Sequence, residues 1–109
     1  MMAGNINYNF NNMEKIINQL PSLELRKKYP HAVTMTDKFM SGWGHAKGKT
    51  AKYVYMCETW EQVEIVAEKA RKNGGQTYIN ECLRFPSHLL KASNYVQIHT
   101  PETAKEWYK

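Results

Sequence analysis

Between Lys52 and Pro86 the spacing of apolar residues switches from a period of two to a helical period and back again. From Lys52 to Glu58, Tyr53, Tyr55 and Cys57 point to one side of an extended strand and Val54 and Met56 to the other. Both sides are apolar, which predicts a central strand. Thr59 and Gln62 then form a T-x-x-Q capping box, after which Trp60, Val63, Val66, Ala67 and Ala70 share one helical face. Glu61, Glu64, Glu68 and Lys72 take the opposite side, with Glu68 four residues before Lys72 in the favourable order. Gly74 and Gly75 supply a left-handed stop, and a strand follows from Thr77 to Leu83.

Before this unit, Met13, Ile16, Ile17 and Leu20 recur at helical spacing behind Asn11 and Asn12 as caps, which predicts a short amphipathic helix ended by Pro21. Ser22 caps a second helical turn through Leu25 and Tyr29, closed by Pro30. Ala32 to Thr36 has strand character, and the glycine-containing run from Ser41 to Lys49 has no regular period. After Pro86 the pattern weakens until Tyr95 to His99, a strand with Val96 and Ile98 inward. Thr100, Pro101 and Glu102 have the order of a helix start, with Ala104, Trp107 and Tyr108 as its apolar stripe.

The predicted architecture is one domain over residues 1–109, with an N-terminal helical arm (1–30) and an α/β body (31–109). The body's order, β-β-α-β-β-α, is that of an α+β two-layer sandwich, ferredoxin-like or a circular permutation of that fold. Parallel pairing of the strands on either side of the central helix requires a crossover, which is right-handed by strong preference.

A chain of 109 residues has room for one hydrophobic core, and 42% hydrophobic residues place it among folded globules. No run approaches the roughly 20 apolar residues of a membrane span, and the first residues lack the basic-then-apolar order of an export signal, so a cytoplasmic protein is expected. Cys57 and Cys82 are then thiols.

Net charge is +5, and seven basic residues (Arg26, Lys27, Lys28, Lys38, Lys47, Lys49, Lys52) lie between positions 26 and 52 against the single acid Asp37. Such a segment attracts phosphates or an acidic protein face, or is simply a solvated surface. Gly44 to Thr50, GHAKGKT, approaches a phosphate-binding P-loop but has three residues between its glycines where the motif needs four. A strand follows it where the motif needs a helix N-terminus. Contact suits the segment better: Trp43 stacks or fills a partner's pocket while Lys38, His45, Lys47, Lys49 and Lys52 neutralise charge, with Arg26, Lys27 and Lys28 as a secondary basic patch. The alternative is Trp43 folded onto the core.

Tyr53, Tyr55 and Tyr78 are candidates for a sheet face that binds single-stranded RNA. Against that, Tyr53 and Tyr55 share a face with Cys57, and the aromatic signature of an RNA-recognition motif is absent. His31, His45, His88, His99 and the two cysteines have no paired zinc-ligand spacing. Glu58, Glu81 and Asp37 would need tuned environments to act catalytically. No metal, cofactor or enzymatic activity is therefore expected.

The stretch from Thr36 to Asn80, through the run D-K-F-x-S-G-W-G at Asp37 to Gly44 and the helix at Thr59 to Asn73, resembles small proteins carried by bacteriophages and other mobile elements. The resemblance covers somewhat under half the chain and brings no active site with it. It implies a stoichiometric binder in a bacterial host cell: an inhibitor of a host defence system, such as an anti-CRISPR protein acting on a nuclease or nucleoprotein complex. The other class is an accessory protein that binds DNA or RNA directly in replication, recombination or transcription. The positive charge argues against an inhibitor that mimics nucleic acid.

Overall fold

The computed structural model describes residues 16–37 and 48–109. Its elements in chain order are β1 (Ile16–Ile17), α1 (Leu23–Lys28), β2 (His31–Asp37), β3 (Thr50–Cys57), α2 (Trp60–Asn73), β4 (Gln76–Cys82) and β5 (Asn94–His99), with 3-10 turns at Ser87–Leu89 and Lys105–Tyr108. The strands form one mixed sheet in the order β1-β5-β3-β2-β4. The α+β architecture read from the sequence is the one observed.

β2 lies antiparallel to both β3 and β4. The two strands that flank α2 therefore run parallel but do not pair, because β2 sits between them. On the other side of β3 the neighbour is β5, in parallel register from Thr50–Asn94 to Tyr55–His99.

The alternation in β3 sorts the core into two halves. Toward α2 point Val33, Met35, Tyr55 and Cys57, which pack on Val63, Val66, Ala67 and Ala70 of the helix stripe. Away from α2 point Ala32, Val54, Met56, Val96 and Ile98, covered by Tyr29, Leu25, Phe85, Leu89 and Leu90. The helix begins as its sequence dictates: Gln62 N–H donates to Thr59 Oγ1 (3.2 Å) and the Gln62 side chain accepts from Glu58 N–H (2.7 Å). It stops at Gly74, whose φ of 79° is left-handed. Trp60, at the edge of the stripe, stays partly exposed and meets His31 edge-on at 5.5 Å.

Two helices expected from spacing do not form among the described residues, and Asn11, Asn12 and Met13 of the first lie outside them. Ile16 and Ile17 pair with Ile98 and Gln97 of β5 as a short strand, so this part of the predicted arm belongs to the sheet. Asn18, at a φ of 55°, extends that pairing. Its N–H donates to Val96 O (2.9 Å) and its side-chain oxygen accepts from Val96 N–H (2.8 Å). Asparagine is among the few residues that tolerate this conformation. At the other end, the Thr100 hydroxyl does accept from Glu102 N–H (3.3 Å), but the chain makes a turn and then the 3-10 segment instead of an α-helix. Trp107 packs on Tyr55 at 4.7 Å and the Tyr108 hydroxyl donates to Met56 O at 2.7 Å. These anchors fix the segment against the sheet beside α2.

Two outcomes are expected. Tyr108→Phe should cost about 1–2 kcal/mol by deleting the bond to Met56 O, read as a lower thermal midpoint. Burial pushes the Cys57 thiol from 9.0 up to about 12, and burial followed by the bond to Asp37 pushes the Tyr53 phenol from 10.0 to about 12. Both folded values lie above the unfolded ones, so their contribution is complete below about pH 9 and is lost as pH rises toward about 12. The thermal midpoint should fall over that alkaline range and not between neutral pH and pH 9.

Candidate functional site

On the face away from α2 the apolar cover does not reach the whole sheet. It ends where Thr34 and Thr36 of β2, Lys52 of β3 and Asn80 of β4 replace aliphatic side chains, leaving a groove of about 210 Å³. The 3-10 turn at Ser87–Leu89 borders it, contributing His88 and Leu89, with Pro86 beside them. Cys82 closes the end nearest the apolar cluster.

The fourth side is made by a β-bulge. Between the pairs Thr34–Asn80 and Thr36–Thr77, β2 has one residue where β4 has two. Tyr78 takes the left-handed conformation there, with a φ of 52°, and lines the groove with 75% of its surface exposed. A tyrosine at positive φ is strained by about 1–3 kcal/mol. Its bulge-mate Ile79 packs toward the α2 side of the sheet. The bulge thus places a large ring over a polar groove instead of in the core.

Lys52 gives the groove its charge. The ammonium donates to Thr36 Oγ1 at 2.9 Å. Among the described residues the ion pairs are Lys28–Glu102, Arg71–Glu81, Lys72–Glu68 and Lys109–Glu106, and Lys52 takes part in none of them. Among the described residues no Asp or Glu lines the groove. An ammonium has three N–H donors, and one of them meets a hydroxyl here. The arrangement of two threonine hydroxyls, an amide, an imidazole and an uncompensated ammonium suits an anionic group. Burial holds the Cys82 thiol above its ordinary value and so lowers its thiolate fraction, with a smaller opposing effect from Thr34.

Of the site residues expected from sequence, Lys38, Trp43, His45 and Lys47 lie outside the described residues. Lys49 is exposed, next to the left-handed Gly48 that leads into β3. Lys52 is the one placed in the groove. The secondary patch is elsewhere: Arg26 is half-buried, its Nε donating to Pro21 O at 2.9 Å, and it faces Arg84 across a separate groove with Leu20 and Leu83. Lys27 is exposed, and Lys28 lies 3.5 Å from Glu102 and 5.3 Å from the Tyr29 ring centre. Tyr29 first and Glu102 second raise the Lys28 pKa.

Tyr78 is on the opposite side of the sheet from Tyr53 and Tyr55, so the three tyrosines do not make one platform. His31 Nδ1 donates to Leu83 O at 2.9 Å, His88 borders the groove and His99 stacks on Tyr55 at 4.8 Å. Among the described residues no three His, Cys, Asp or Glu side chains converge. Glu81 pairs with Arg71 at 2.8 Å, Asp37 accepts from the Tyr53 hydroxyl at 2.8 Å, and Glu58 is exposed. No helix among the described residues is long and apolar enough to cross a membrane.

No family model matches the chain, and no curated protein or solved structure matches it either.

Tyr78→Gly should leave stability unchanged or raise it by up to about 1 kcal/mol, since it removes a strained conformation and an exposed ring. Chemical denaturation of the two proteins measures this. A loss larger than about 1 kcal/mol would make Tyr78 a packing residue.

Proposed function

We propose that this protein acts by binding, and that the groove around Lys52 is part of its working surface. The observation that carries this reading is an ammonium with no carboxylate partner among the described residues, set among hydroxyl and amide groups on a sheet face that the other described residues leave open. The partner presents phosphate or carboxylate. Lys49, exposed in the turn just before β3, adds a second cation close in the chain.

The phage-like run at Asp37 to Gly44 directs the reading to a stoichiometric inhibitor of a host defence system, such as an anti-CRISPR protein. In a CRISPR nuclease, guide-RNA phosphates or an acidic protein face would meet Lys52. The same chemistry favours a second reading, direct binding of DNA or RNA as an accessory protein of replication, recombination or transcription. Neither reading requires turnover.

The two separate in one experiment, anisotropy of labelled single-stranded and duplex nucleic acid at two salt concentrations. An accessory protein binds the naked polymer, loses affinity steeply with salt, and in Lys52→Ala weakens across all sequences with the salt slope reduced by about 1. An inhibitor instead abolishes activity of its target nuclease near equimolar ratio, and Lys52→Ala relieves the inhibition. An unchanged phenotype of Lys52→Ala in both assays contradicts the proposed surface.

A further inference from the structure

A second uncovered area lies on the α2 side of the sheet, past the C-terminal end of the helix. It is a pocket of about 260 Å³ with Tyr53 and Tyr55 of β3 and Gln97 and His99 of β5 as its floor, Trp107 on one side and Gln76, the first residue of β4, on the other. A single water occupies about 30 Å³, so one water does not fill it.

The rings are held in place by each other. Tyr55 stacks on His99 at 4.8 Å and lies 4.7 Å from Trp107, while Tyr53 is 5.9 Å from His99 and its hydroxyl is fixed by the bond to Asp37. Tyr53 and Trp107 remain half-exposed. Among the described residues no Lys, Arg, Asp or Glu lines the pocket, in a chain of net charge +5. Its polar groups are the Gln76 and Gln97 amides, the Tyr53 and Tyr55 hydroxyls, the His99 imidazole and the Trp107 indole N–H, and the Gln76 side-chain oxygen is buried without a hydrogen-bond partner. A buried acceptor left unpaired is costly, and a ligand N–H would satisfy it.

Aromatic walls select a flat ligand, the missing lysines and carboxylates select a neutral one, and the Gln76 oxygen selects one carrying an N–H. A glutamine amide sets an acceptor and a donor side by side, the pattern that pairs with the edge of a base. We propose that this pocket takes a nucleobase, seated against Trp107 and Tyr53 with an N–H donating to Gln76 Oε1 and its remaining edge toward Gln97. The base is that of a free nucleoside or an unpaired base of a single strand. The pocket and the Lys52 groove open on opposite faces, so this inference does not rest on the function proposed above.

The test is titration of the full chain with adenosine, guanosine, cytidine, uridine, their 5′-monophosphates and short single-stranded oligonucleotides. The readout is the Trp107 indole N–H resonance, assigned by its loss in Trp107→Phe. At least one base should give a saturable shift. With no cation lining the pocket, its nucleoside and monophosphate should bind equally within about two-fold. Tighter binding of the oligonucleotide identifies a strand as the source, and equal binding identifies a free nucleoside. Gln76→Leu should weaken binding on the order of ten-fold without lowering the thermal midpoint, since it removes an unpaired acceptor. Should that variant fold poorly, Gln97→Leu, at a half-exposed position, should weaken binding in the same way. Absence of a saturable shift with every base, a monophosphate bound far more tightly than its nucleoside, or unchanged binding in folded Gln76→Leu would overturn the proposal.

Discussion

A strand pair that is apolar on both faces has to be covered on both, and α2 is the one long helix among the described residues available to do it. β2 and β3 form that pair: Val33, Met35, Tyr55 and Cys57 face the helix while Ala32, Val54 and Met56 face away, and all are buried. α2 covers the first set with four small side chains, Val63, Val66, Ala67 and Ala70, which let it approach closely. The second set is sealed by pieces: Leu25 and Tyr29 from α1 and its cap, and Phe85, Leu89 and Leu90 from the connection between β4 and β5. Both candidate sites lie where this covering stops.

That division explains why the two areas differ in chemistry. Away from α2, strand positions beyond the apolar cluster carry hydroxyl, amide and ammonium groups, so the uncovered sheet is a polar groove with a positive centre. On the α2 side, the C-terminal 3-10 segment adds Trp107 and Tyr108 next to the helix, and the uncovered remainder is largely aromatic, with no Lys, Arg, Asp or Glu among the described residues that line it. A strained Tyr78 on one side and an unpaired Gln76 oxygen on the other are local costs that folding alone does not require.

The parts of the fold legible in the sequence are those whose signals are local. The Thr59–Gln62 cap, the stripe from Val63 to Ala70, the Gly74 stop and the alternation along β3 each lie within a few residues of what they determine. The misreadings arise where a distant partner decides. Ile16 and Ile17 fit a helical spacing, yet two β-branched residues beside the β5 edge gain a ladder and the Asn18 bonds instead. Thr100-Pro101-Glu102 has helix-start chemistry, but Trp107 and Tyr108 are held by Tyr55 and Met56, roughly fifty positions earlier. Lys52 was legible as a basic residue and its groove was not, since Thr34, Asn80 and His88 come from three other segments. The bulge falls on Tyr78 and Ile79, neither of them a residue type that announces a left-handed conformation.

Under the proposed function, an anionic partner sits on the sheet face around Lys52. Backbone amide shifts recorded while single-stranded DNA is added at low salt test it directly. The largest shifts among the described residues should fall on Thr34, Thr36, Lys52, Tyr78 and Asn80 and collapse as salt is raised. Shifts confined to Arg26, Lys27 and Lys28, or spread evenly over every exposed lysine, would contradict it.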